Sequence, residues 1–270
     1  FESNVGGALN ILAALFFLKG LKSPLLLSFS AVCAALSIYV YQSEKVFTPL
    51  FVLALIIIYR KQLFALPKKY LALVTLTGII IIAPMVVYTL TNKDSFARAK
   101  GVSIFSQSSH VLDASTKRLA EDKERNDLIG MVFDNRRFIY TKMIIDNYIS
   151  HFSPNWLFIT GDIPRHHAPY MGLLYIWELP FILIGIYMLI FGKYDKKTKA
   201  LIWSWFFIAP LPAAVTMGVP HAVRTLNFLP MHQVFAALGI IWFAGKLLNF
   251  SIRTPSSSPL RLELRANRLS

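Results

Sequence analysis

The sequence predicts an all-α protein that crosses a membrane several times. Three observations predict it. Apolar residues make up 55% of the 270-residue chain, and the mean hydropathy is +0.53. Charged residues are only 16%, well below the quarter or so of an ordinary soluble domain. The apolar residues gather into seven runs, at 5–18, 25–41, 46–59, 70–90, 171–191, 200–217 and 226–245. Backbone at membrane depth must satisfy its own hydrogen bonds, and a helix does so within one segment.

Taken in order, the last four runs approach or reach the roughly 20 residues of a spanning helix. The first and third are shorter. They must be tilted, extended by their neighbours or partly re-entrant to serve as spans. The turns between runs set the expected orientation. Lys19 and Lys22 follow the first run. Arg60, Lys61, Lys68 and Lys69 follow the third. Lys193, Lys196, Lys197 and Lys199 follow the fifth, and Lys246 and Arg253 the seventh. Seven spans place every one of these clusters on one side, which the positive-inside rule makes cytoplasmic. The other side receives the start of the chain, the turn 42–45, the long segment 92–169 and the turn 218–226. A multi-pass cytoplasmic (inner) membrane protein is expected, with its polar cluster on the extracytoplasmic face.

Segment 92–169 is the only sizeable piece outside the runs. Its part 115–127 is charged and reads as a solvated helix. In 133–152, Phe133, Tyr140, Ile144 and Tyr148 recur near helical spacing with Arg136, Arg137 and Lys142 among them. That pattern permits a helix lying at the membrane surface, or ordinary packing in a small outer domain. Ser153-Pro154-Asn155 reads as a turn, and Trp156 and Phe158 as interfacial anchors. The expected domains are therefore spans one to four in 1–91, an extracytoplasmic loop in 92–169 and spans five to seven in 170–248. The Ser- and Pro-rich tail from 249 on is expected to be disordered and cytoplasmic.

Several classes are excluded or weakened. The net charge of +14 could suggest nucleic acid, but the basic residues sit in short turns rather than on one soluble face, so no nucleic-acid partner is expected. The single cysteine, Cys33, lies inside an apolar run and reads as a buried thiol. No signal peptide is recognisable. There is no Walker motif, Rossmann fingerprint or His-Glu-x-x-His sequence, so no nucleotide cofactor is expected.

The chemistry-bearing residues fall at one membrane face. Glu2 begins the first run. Asp162, Arg165, His166 and His167 precede the fifth. His221 and Arg224 lie in the last outer turn, and Glu178 falls about two turns into the fifth run. A carboxylate at that depth is costly unless paired or facing a polar cavity, and His221 or Arg224 is its natural partner. Each residue also has a structural reading: Glu178 as half of an ion pair, Arg165 as a lipid head-group contact, His221 as a turn residue after Pro220. His151 and His232 read as structural. Together the set suggests an outward-facing cavity with cationic groups for a phosphate and carboxylate or imidazole groups for a divalent metal or a proton transfer.

Four stretches carry a resemblance to a known family: 1–22, ending Phe17-Leu18-Lys19-Gly20-Leu21-Lys22; Ser37-Ile38-Tyr39-Val40-Tyr41-Gln42-Ser43-Glu44-Lys45-Val46-Phe47; 161–178; and Pro220-His221-Ala222-Val223-Arg224. In order and spacing they resemble bacterial polyprenyl-phosphate-sugar-dependent membrane glycosyltransferases of the GT-C architecture, the protein-mannosyltransferase-like group. The resemblance covers residues 1 to about 248. It implies transfer of a sugar from a polyprenyl-phosphate donor to a hydroxyl on a lipid, glycan or protein, at the outer face among membrane lipids. Glu2 would bind a metal or orient the donor. Arg165 would meet the donor phosphate, and His166 would share a metal or phosphate site. Glu178 would order that pair, and His221 and Arg224 would complete the anion site. The family's general-base aspartate and first spans would precede Phe1, so the chain reads as an N-terminally truncated piece that is inactive alone. Two other readings stay open: a transporter or flippase for lipid-linked glycans, which needs a two-sided polar path, and a glycan polymerase or ligase. A purely structural membrane protein is disfavoured by the clustered ionisable residues.

Overall fold

A computed structural model describes residues 2–92, 95, 97–106, 110–166 and 168–253. Of the tail expected to be disordered, 249–253 instead continue the last helix; the rest, from 254 on, and His167 lie outside the described residues. Twelve α-helices follow one another among the described residues, and the chain divides into two compact units. The first comprises Phe1–Ile176 and Tyr194–Met231; the second comprises Trp177–Lys193 and His232–Ser270.

Each apolar run carries a helix. In the first unit these are α1 (Glu2–Gly20), α2 (Leu26–Val40), α3 (Glu44–Leu63) and α4 (Lys68–Thr91). The loop adds α5 (Ala97–Val102), α6 (His110–Glu124), α7 (Leu128–Phe133) and α8 (Arg136–Ser150). Then come α9 (Leu179–Phe191), α10 (Lys196–Ile208), the one-turn α11 (Leu211–Ala214) and α12 (Leu229–Arg253). Among the described residues four helices are long and apolar enough to cross a membrane: Glu2–Gly20, Glu44–Leu63, Lys68–Thr91 and Leu226–Leu247. The protein is a mostly helical, multi-pass membrane protein. None of the residues of α4 is buried, so its apolar surface is matched to lipid rather than to a protein core.

The run lengths are corrected at both ends. The first and third runs become helices of 19 and 20 residues, because polar flanks at Glu2–Asn4 and Arg60–Leu63 continue the helical backbone. The fifth and sixth become helices of only 13 residues each. Residues 170–175 stay outside the helix, with Tyr170 at φ 64°. Proline at 180 opens α9, where its missing N–H costs nothing. At the other break Pro210 and Pro212 follow α10, and the helix stops at Ile208 before them.

Small residues set the close packing of α1 on α2: Ala13, Ala14, Ala34 and Ala35 are buried, and Ser30 Oγ donates to Ala13 O at 2.7 Å. An aromatic core then ties the spans to the loop. The Phe51 and Phe47 rings of α3 meet Trp205 of α10 at 4.4 and 5.4 Å. Phe228 meets Phe206 at 4.8 Å and Phe152 at 5.2 Å. This cluster fixes one end of α8 and the start of the 3₁₀ turn Leu226–Phe228, and so positions the segment 216–225 between them.

Helices α6 and α8 form in the two parts of the loop where helices were expected, but Tyr140, Ile144 and Tyr148 of α8 are half-buried. The loop departs from expectation at Trp156, which is buried at 5% exposure within the π-helical turn Trp156–Thr160. Its ring packs edge-on to His151 at 5.4 Å, so it is a core residue and not an interfacial anchor.

Candidate metal and anion site

The site lies in the first unit, where the segment before residue 170 meets the turn after Pro220. Asp162 is the hub. Its Oδ1 accepts from the backbone of Ile163 and its Oδ2 from that of Ala222, both at 2.7 Å. Those two amides lock the carboxylate between the segments. His166, one helical turn along at i+4, places Nδ1 3.2 Å from Oδ2. His221 places its own Nδ1 3.7 Å from the same oxygen. The two imidazoles stack, with ring centroids 4.5 Å apart and planes 25° apart.

One ligand atom from each of the three residues lies within 4.8 Å of the others. Ligands about 2.0–2.2 Å from a tetrahedral ion stand roughly 3.3–3.6 Å apart, and the separations of 3.2 and 3.7 Å bracket that range. The Asp162–His166–His221 cluster is therefore consistent with a divalent metal ion. One carboxylate and two imidazoles are three of the four ligands that a tetrahedral ion takes.

The electrostatics favour ligation. Burial pulls the His221 imidazole down to about 4; Arg224 pushes the same way and Asp162 opposes both. His221 is thus neutral near pH 7 and keeps the lone pair a metal needs. Burial pushes the Asp162 carboxyl up, but the Ala222 and Ile163 amides and the two histidines outweigh it, and the group is held below its usual range. Behind the cluster, His151 is fully buried, with Nδ1 2.8 Å from Asn147 O. Its Nε2 accepts from the backbone of His221 at 3.3 Å. Those two partners define its tautomer: the proton is on Nδ1. Burial also lowers its pKa, against weaker opposing contacts.

Arg165, His166, His221 and Arg224 all line one cavity of about 610 Å³. The rest of its wall includes Tyr41, Val46, Phe105, Val215 and Val223. Arg224 is aimed by Thr216 Oγ1 and Met217 O, which each accept from its Nη1 at 2.7 Å. The loop closes on this turn by a short antiparallel bridge: Met217 N donates to Val102 O at 2.8 Å, and Ile104 N to Val215 O at 3.3 Å. Asp162 borders instead a second cavity, of about 530 Å³, whose wall includes Ser153, Asn155, Thr160, Trp156, Ile163 and Pro220.

Four expected site residues therefore meet. Two do not. Glu2 is exposed at the start of α1 and is not in the metal cluster; Asp162 supplies the carboxylate expected of it, because Asp162 is one turn from His166 and is clamped by backbone amides. Glu178 belongs to the second unit and is not two turns into a span. It is the residue before α9, since 170–175 are not helical. There its charge faces the positive end of the helix dipole, and its carboxylate has no ion-pair partner among the described residues.

A buried network next to the cavity escaped the sequence reading. Glu44, only 1% exposed, accepts from Asn10 Nδ2 at 2.6 Å and from Asn227 Nδ2 at 2.8–2.9 Å. Thr48 Oγ1 donates to Asn10 Oδ1 at 2.9 Å, and Ser37 Oγ stands 2.8 Å from Thr48 Oγ1. Gly6 leaves room for the Glu44 side chain, whose Cγ a Cβ there would meet at 2.9 Å. The available signal was a single acidic residue in a turn between apolar runs.

The fold and the site together define a multi-pass helical membrane protein with a candidate metal and anion cavity. Comparisons with protein-family models, curated proteins and solved structures give no match.

Proposed function

We propose that the protein is, or is part of, a membrane glycosyltransferase that takes a sugar from a polyprenyl-phosphate donor. The observation that carries this reading is the convergence of Arg165 and Arg224 with His166 and His221 in one cavity, the two histidines being held by Asp162 behind them. A phosphate linked to a long apolar chain needs cationic groups and an apolar wall at a lipid boundary, and this cavity offers both. In the reaction an acceptor hydroxyl oxygen bonds to the sugar's anomeric carbon. The bond from that carbon to the phosphate oxygen breaks, and polyprenyl phosphate leaves with the bonding pair. The acceptor proton passes to a base.

Arg165 and Arg224 offset the charge that grows on the leaving phosphate. A divalent ion held by Asp162, His166 and His221 would add to that stabilisation. The cavity on the other side of Asp162 sets the hydroxyls of Ser150, Ser153 and Thr160 and the Asn155 amide among Trp156, Ile163 and Pro220, groups that can take up a hydroxyl acceptor. The cavity is assigned to the extracytoplasmic face, because the Lys/Arg turns lie at the opposite ends of the spans.

The test uses the purified 270-residue chain and fluorescent polyprenyl phosphate. Replacing Arg165 or Arg224 with Ala removes a charge-assisted contact worth about 1.5–3 kcal/mol, so affinity should fall on the order of tenfold or more. Both variants should stay monodisperse and helical by circular dichroism. Unchanged affinity in both would overturn the reading.

A further inference from the structure

We infer that α7 and one stripe of α8 form a ledge that docks into the phospholipid bilayer beside the site. The inference rests on the membrane-spanning character of the chain and not on the proposed transfer reaction.

The ledge is apolar and uncovered. On α7, Leu128 is 74% exposed, Ile129 71%, Val132 60% and Phe133 53%. Asp127 caps that short helix by accepting from the amides of Ile129 and Gly130, so the apolar side chains project from an ordered turn. The Phe133 ring meets Phe138 at 4.8 Å, edge-on, and passes the surface on to α8. There Phe138, Ile145 and Ile149 are all exposed. Their spacing of seven and then four residues places them on one stripe of the helix. From Phe138 to Ile149 the stripe runs about 17 Å along α8 at 1.5 Å per residue.

The occupant follows from where α8 is fastened. Asn147 Nδ2 donates to Ala214 O at 3.0 Å and to Thr216 O at 3.2 Å, and Tyr148 OH donates to Phe207 O at 2.9 Å. These bonds hold the end of α8 against the end of the apolar helix α10, where Phe207 is itself 49% exposed. α10 in turn packs on the spanning helix α3, Trp205 against Phe47 and Phe51, so α8 is fastened beside the spanning part of the protein. Lys142 sits within the stripe, paired to Asp146 at 2.6 Å, and Arg137 borders it. Long basic side chains there can lay their stems on the acyl boundary and reach phosphates with their heads. A bilayer meets all of these conditions with a single surface.

The experiment places a fluorophore at Ile129→Cys, Phe133→Cys or Ile149→Cys in the full chain, on a Cys33→Ser background, reconstituted in phosphatidylcholine–phosphatidylglycerol vesicles. Lys123→Cys on α6 is the reference. The expected result is blue-shifted emission at the three ledge positions, quenching by lipids brominated near the head-group end of the acyl chain, and lost quenching by aqueous iodide. Burial by about 5–10 Å is the depth of an interfacial helix. The reference position should remain open to iodide. Iodide quenching at the ledge equal to that at the reference overturns the inference. So does protection from iodide without quenching by brominated lipid, which would mean that protein covers the ledge.

Discussion

His221 shows how one residue acquires a role through its surroundings. In the chain it is a histidine after a proline. In the fold, burial and Arg224 keep it neutral, and Asp162 stands 3.7 Å from its Nδ1. The consequence for stability has a definite sign. The ordinary histidine pKa of the unfolded chain is about 6.5, and the folded value is about 4. Between those two values the unfolded state binds more protons, so stability falls as pH drops through that window and is flat above it. His151, lowered in the same direction, adds to the effect. With chelator present, the melting temperature of detergent-purified protein should fall by a few °C or more between pH 7 and 4.5, and His221→Gln should flatten part of that slope. A His221→Gln slope equal to the parent's would show that His221 is already protonated in the folded state. With Zn²⁺ added at pH 7.5, the parent should be stabilised, because the ion binds the folded state. Asp162→Ala should lose that stabilisation.

At the scale of elements, two close approaches govern how helices meet. In the second unit, a Cβ on Gly185 of α9 would collide with the carbonyl of Phe235 on α12, and one on Gly239 would collide with that of Phe181. The two pairs run in opposite order, so the helices cross antiparallel with a glycine at each contact, the small-residue packing used in membranes. Gly185→Ala or Gly239→Ala should each cost about 1–3 kcal/mol, the usual penalty of overpacking. A thermal-shift measurement on each variant tests this, with Gly78→Ala, which meets nothing, as the neutral comparison.

In the first unit, the Glu44 clamp joins α1, α3 and the turn that carries the site. Asn227 is three residues beyond Arg224, and its carbonyl also accepts from Trp205 Nε1 at 2.6 Å. Glu44→Ala leaves Asn10 and Asn227 with buried, unpaired amide hydrogens, at a cost of about 1–3 kcal/mol for each unsatisfied group. It should weaken Zn²⁺ binding at Asp162–His166–His221 as well as stability. A variant that loses stability but binds Zn²⁺ as the parent does would confine Glu44 to a structural role.

On the scale of the whole molecule, the places of the apolar helices were legible in the chain, because membrane depth admits only long apolar segments with internally paired backbone; the count was not, since seven spans were expected and four helices among the described residues are long and apolar enough to cross. Helix lengths were less legible as well. Proline and glycine shortened the fifth and sixth runs, while polar flanks extended the first and third, and polarity is a poor guide to where a helical backbone stops. Within the site, the i, i+4 spacing of Asp162 and His166 could be read directly, and so could the isolated basic residue Arg224. Asp162 nevertheless looked like a minor member, since the amide that ties its carboxylate to the His221 turn, that of Ala222, is sixty residues away in the chain. His151 and Glu44 were invisible as site neighbours for the same reason: their partners are Asn147 and the backbone of His221 in one case, Asn10 and Asn227 in the other. Composition and periodicity set the class of protein, because the bilayer is a solvent that every span must satisfy separately. Tertiary structure alone decided which carboxylate joins the two histidines, because metal ligands and buried amides are chosen by distances of a few ångströms between segments that are remote in the chain.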